Sequence, residues 1–136
     1  MSITIDVIIK SDLNSVWEQW NNPDDIKVWN AASDDWHTTV SEVDLRVGGH
    51  FLSRMEAKDG SAGFDFKGTY SVVVEKSLIE YFIEDGRRVR IEFKALPGAV
   101  KVTEIFDAES VHSEKQQKEG WQSILNRFAR HVEKSR

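Results

Sequence analysis

Residues 36–107 carry the pattern that most restricts how this chain can fold. Gly48-Gly49, Asp59-Gly60, Asp85-Gly86 and Pro97-Gly98 interrupt it at short intervals, and glycine-containing pairs of this kind mark tight turns. Between the breaks the residues alternate in character: Phe51, Ser53 and Met55; Phe64 and Phe66; Ile79, Tyr81 and Ile83; Val89, Ile91 and Phe93; Val100 and Val102. Arg88, Arg90, Glu92 and Lys94 stand between the apolar members of their segment. A period of two with one charged side predicts an antiparallel meander of about six strands, wet on one face and apolar on the other. Lys67-Gly68 falls inside the segment from Phe64 to Val74, where glycine predicts a bend or a close backbone approach.

The flanks read differently. Ile3, Ile5, Val7 and Ile9 alternate as a further strand. Ser11 then offers a helix cap, and Leu13, Val16, Trp17 and Trp20 share one helical face. Asn22-Pro23-Asp24-Asp25 is a second start signal, since Asn caps exposed N–H groups, Pro suits the first turn and carboxylates favour the positive helix end. Ile26 and Trp29 would form its buried side. In the tail, Ser113-Glu114-Lys115-Gln116 has the form of a capping box. Trp121, Ile124, Leu125, Phe128 and Val132 follow at helical spacing. This helix would span roughly 30 Å, enough to cross a curved sheet.

Composition sets the class. The 136 residues fit one domain, 1–136, and a hydrophobic share of 40% excludes a disordered chain. No apolar run approaches the ~20 residues of a membrane-spanning helix, and the first residues lack a secretory pattern. No membrane insertion and a cytoplasmic location are therefore expected. With no cysteine there is no disulfide framework or thiolate metal site. A net charge of −5 argues against nucleic acid as a partner. Arg87, Arg88 and Arg90, opposed by Asp85 and Glu92, read as a solvated strand edge.

The sheet's apolar face needs a cover, and only the C-terminal helix is long enough to supply it. A twisted sheet and a straight helix match imperfectly, so a hollow is expected between them, closed at one end by the two short helices. Five Trp and seven Phe provide either a packed core or a cavity wall. The inward-facing candidates for a small-molecule site are Trp20, Trp29, Trp36, Phe51, Phe64, Phe66, Tyr81, Phe93, Trp121 and Leu125. Glu104 shares parity with Val100, Val102 and Phe106, which turns it inward as a candidate general base, unless a bulge reverses the parity. Its alternative is structural, a pair with Arg90 or Arg54. Tyr81 and His37, the latter near the expected cavity mouth, complete the catalytic candidates. His50, His112 and His131 read as turn, helix-start and surface positions. No histidine has a partner at ligand spacing, so no metal or cofactor is expected.

Four stretches carry a family resemblance: Trp20-Asn21-Asn22-Pro23 through Trp29; Asp44 to Phe51 with its Gly48-Gly49; Phe64 to Tyr70; and Glu119-Gly120-Trp121 to Leu125 with Phe128. On these the chain resembles the SRPBCC (START/Bet v 1-like) superfamily, and within it the activator of Hsp90 ATPase homologue 1-like branch. The resemblance implies an α+β helix-grip fold, a curved antiparallel sheet wrapped around a long C-terminal helix. It leaves function open, because the superfamily hosts carriers, cyclases, receptors and co-chaperones on one scaffold. The leading expectation is a binding domain for a small hydrophobic or amphipathic ligand. The alternative is an enzyme resembling polyketide cyclases or dehydratases. An Hsp90-type chaperone is not expected as a partner, since the named activators carry a further N-terminal domain. An exposed meander edge could pair two copies as a homodimer.

Overall fold

Alternation along the chain becomes alternation of burial in the computed structural model, which describes residues 1–135. β1 (Ser2–Ile9) leads into α1 (Leu13–Asn21) and α2 (Pro23–Trp29). The meander follows as β2 (Trp36–Val43), β3 (His50–Ala57), β4 (Gly63–Val74), β5 (Leu78–Ile83), β6 (Arg88–Leu96) and β7 (Ala99–Asp107), and α3 (Glu114–Lys134) ends it. All seven strands form one antiparallel sheet in the order β1-β7-β6-β5-β4-β3-β2. β1 thus joins the last strand, and β2 is left at the far edge. The sheet curls around α3, which is the helix-grip arrangement.

Register aligns the inner face into rows. One row runs Ile3, Phe106, Val89, Tyr81, Tyr70 across five strands. The next runs Ile5, Glu104, Ile91, Ile79, Val73. β1, β6 and β7 pair without a register shift, so Glu104 keeps the inward direction that parity predicts. β4 carries a bulge between Tyr70 and Val72. The extra residue there lets Tyr70 and Val73 both face the interior, though they are an odd number of positions apart. A second bulge lies in β2 between Thr38 and Val40.

Helix ends follow local chemistry with one difference. Asn22 caps α2, accepting from the Asp24 N–H at 2.9 Å. The Ser113–Gln116 capping box forms at α3, each side chain serving the other's backbone at 3.1 Å. For α1, however, the cap is Asp12 rather than Ser11, with Oδ1 accepting from the Ser15 N–H at 2.8 Å. Leu13 opens the buried stripe, so the residue directly before it takes the cap. Gly68 is a point of close approach within an unbroken β4: a Cβ there would meet the Phe82 carbonyl oxygen at 2.3 Å and the Phe51 ring at 2.8 Å.

α3 seals the sheet unevenly. Its C-terminal half buries Leu125, Phe128, Ala129 and Val132, whereas the N-terminal half buries only Gln117. Fully burying an apolar side chain of this size stabilises by about 1.5–3 kcal/mol, so the C-terminal half holds the helix down. His131 Nε2 also meets Asp25 Oδ1 at 2.8 Å, tying α3 to α2. This histidine, read from sequence as a surface position, is therefore partly buried and partnered.

Candidate ligand-binding site

Where α3 carries few large apolar groups, the interior stays open. A pocket of about 570 Å³ lies between the N-terminal half of α3 and the inner faces of β2 to β5. Trp20 and Trp29 bound it from α1 and α2, and Trp36, Phe51, Phe64 and Phe66 from the strands. Tyr81 and Trp121 complete the aromatic wall. Phe51 is central, with ring centroids 5.7 Å from Phe66, 5.5 Å from Tyr70 and 4.6 Å from Tyr81. Trp121 stacks on Phe106 at 4.0 Å and turns an edge arrangement towards Phe66 at 6.1 Å. The rim carries exposed residues, among them Phe64, His112 and Gln116.

Three of the residues predicted for the site lie elsewhere. Phe93 is buried between Trp17 and Trp20, with centroids at 5.1 and 5.9 Å, at the end the short helices close. Leu125 has no exposed surface and lies in the filled seam of α3. Both face inward as parity requires, but further along their elements than the pocket extends. His37 follows Trp36 in β2 and so points to the opposite face, outside the pocket lining.

The polar content of the pocket is small and unusual. Glu104 is 4% exposed and lines the floor within an otherwise aliphatic row. No side chain or backbone group among the described residues hydrogen-bonds its carboxyl. Burial alone pushes its pKa up to about 8, because an ionised carboxylate there would lose water without gaining a partner. The pairing with Arg90 or Arg54 does not occur. Arg90 bonds Glu80 and Glu92, and Arg54 bonds Glu56 and Asp65, all away from Glu104. Tyr81, in the same pocket, has its phenol held well above the ordinary range, first by burial and then by the Glu104 charge. Tyr70 is also raised, by burial and by Asp44.

Several lining residues were not among the sequence candidates. Tyr70, Ser53 and Met55 share strand parity with Phe66 and Phe51, and alternation alone would have found them. Gln117 and His112 had no such signal. Gln117 is buried and bridges the segment after β7: its Oε1 accepts from the Glu109 N–H at 2.8 Å, and its Nε2 donates to the Glu109 and His112 carbonyls at 3.1 and 2.8 Å. No group of acidic or histidine side chains among the described residues could hold a metal ion. Among the described residues no helix is long and apolar enough to cross a membrane.

Comparison with known proteins agrees with this architecture. A solution structure of an AHSA1-like protein from Aeromonas hydrophila is 50% identical, with a TM-score of 0.94 over 99% of this chain and 94% of that one. A solution structure from Cytophaga hutchinsonii is 42% identical, with a TM-score of 0.85 over 98% and 93% of the two chains. A crystal structure from Nitrosomonas europaea shares the fold at 18% identity, with a TM-score of 0.87 over 99% and 96%. No curated protein matches the chain. The model of the family described as activator of Hsp90 ATPase homolog 1-like protein matches residues 10–133, and the chain belongs to that family.

Proposed function

We propose that this protein, as a single domain, binds a small hydrophobic or amphipathic molecule between α3 and the sheet. The observation that carries the reading is the pocket itself, about 570 Å³ and walled by aromatic rings from α1, α2, four strands and α3. Small-molecule sites usually take this form, an apolar concavity of several hundred Å³ with a few placed polar groups. The wider superfamily, which commonly binds hydrophobic ligands, supports the same reading. Trp20, Trp29, Trp36, Phe51, Phe64, Phe66, Tyr81 and Trp121 would make the apolar contacts. Thermal-shift and native mass-spectrometry screens with lipids, polyketides and aromatic compounds test this. A stabilising, stoichiometric hit is expected, and quenching of tryptophan fluorescence should accompany it. Silence across the whole set, with the protein folded, would overturn the reading.

One observation favours a second reading, an enzyme of the cyclase or dehydratase type. Glu104 and Tyr81 face one pocket, and a carboxyl with a pKa near 8 is placed to exchange protons at neutral pH. In this reading Glu104 moves the proton and Tyr81 polarises a ligand oxygen, with His37 taking no part. Turnover of any ligand found in the screen, abolished by Glu104→Gln, is the expected result.

A further inference from the structure

We propose that the preferred ligand is an amphipathic amine, its protonated nitrogen held against Glu104 and its hydrocarbon body against the aromatic wall. This rests on the pocket being a binding site. Four charged side chains besides Glu104 reach the lining or rim: Glu42, Arg87, Glu109 and His112. Arg87 is occupied, its Nε donating to Asp85 at 2.8 Å. His112 and Glu109 face each other at 3.1 Å. Glu42 is exposed on β2, which leaves Glu104 as the buried charge, 4% exposed and without a hydrogen-bond partner among the described residues.

Among the described residues, the elements around Glu104 supply no cation. β1 and β6 present Ile5 and Ile91 directly beside it. β5 and β4 present Ile79 and the phenols of Tyr81 and Tyr70, while α3 presents Gln117, Trp121 and Ile124. Arg54 and Arg90 are engaged in their own ion pairs. A ligand bringing a positive charge therefore supplies what the chain leaves out, while the aromatic wall of the pocket takes its hydrocarbon body. A fatty acid would instead set a second carboxylate beside the first, which one of the two must avoid by staying protonated. A neutral oxygen ligand could accept from a protonated Glu104, but glutamine donates equally well, so the two cases separate by mutation.

The test uses three probes with one hydrocarbon body: naphthylethylamine, naphthylethanol and naphthylacetate. Calorimetry near neutral pH in two buffers of different ionisation enthalpy measures affinity and proton release together. Because the empty pocket keeps Glu104 protonated and an ammonium ion would discharge that proton, amine binding should release close to one proton. The amine should bind at least about tenfold tighter than the alcohol, and naphthylacetate weakest. Glu104→Gln should erase the proton release and the amine preference while changing alcohol affinity less than about threefold. Equal binding of amine and alcohol, or an amine affinity indifferent to Glu104→Gln, would overturn the proposal and leave the pocket reading intact. Failure of all three probes overturns the proposal. Only silence of the broad screen as well removes the pocket reading.

Discussion

The two ends of the helix–sheet interface use the same kind of residue to opposite effect. At the end closed by α1 and α2, Trp17, Trp20, Trp29, Phe93 and Phe128 meet one another with centroids 4.9–5.9 Å apart. At the other end Phe51, Phe66, Tyr70, Tyr81 and Trp121 stand at similar ring separations yet surround a pocket. The difference lies on α3. Its C-terminal half pushes Phe128 and Leu125 into the gap, whereas its N-terminal half offers Gln117 and Gly120 there and lays Trp121 aside, stacked on Phe106. Aromatic content alone therefore does not decide between core and cavity. What decides is whether the opposing helix carries side chains large enough to fill the space.

Substitutions at the two ends should separate sharply. Phe128→Ala removes a fully buried ring from close-packed surroundings and is expected to cost about 3–5 kcal/mol. Phe66→Ala, on the partly open wall, should cost about 1–2 kcal/mol while removing ligand contact. Chemical denaturation of both variants reads the contrast, and equal losses would show that the open end is packed after all.

The next effect is one of pH. Glu104 titrates near 8 in the folded chain against an ordinary value of 4.5. Between these values the folded state holds a proton that the unfolded state has released. The group's contribution is thus fully favourable below the lower value and declines as pH rises to the upper one. Glu104→Gln, which mimics the neutral acid at all pH, should stabilise by roughly 3–5 kcal/mol at about pH 8.5 and by almost nothing at about pH 4. Thermal melts of both proteins across that range provide the check. A parallel pair of profiles would show that Glu104 finds a partner.

The smallest effect concerns Gly120. A Cβ built there meets nothing within 4 Å, and its position within α3 is an ordinary helical one. Gly120→Ala is expected to stabilise by about 0.5–1 kcal/mol through chain entropy and helix propensity alone. Its methyl group narrows the pocket, so any bound ligand should weaken slightly. Loss of stability instead would mean that the helix lies closer to the sheet here.

Much of this was legible in the order of residues, for reasons that also mark where legibility ended. Period-two alternation reports which face a side chain takes, so the inward turns of Phe51, Phe66 and Tyr81 could be read directly, while that of Glu104 depended on β1, β6 and β7 pairing without a bulge. The same parity that sends Glu104 inward sends Arg90 outward with Glu92, its neighbour two positions on. The pair with Arg90, kept as an alternative on sequence, accordingly does not form. Parity does not report position along a strand relative to a helix packed across it. Phe93 and Leu125 were consequently placed on the right face but at the wrong end. Gln117 escaped notice because its role depends on backbone groups of a turn, which side-chain pattern does not encode.

The bulge in β4 separates the strand into two stretches whose alternation is out of step. Before it, Phe66 and Tyr70 line the pocket; after it, Val73 joins the core against Ile79. Because the phase is reset at Ser71, both stretches turn their apolar side chains to the same face of the sheet. Phe64 and Phe66 on the wall-forming stretch are the positions open to exchange, whereas Gly68 beside them admits no side chain. Deleting the single residue Ser71 would heal the bulge into continuous pairing, leaving Tyr70 and Val73 inward and Val72 outward, and would remove only the local bend and twist that the extra residue adds.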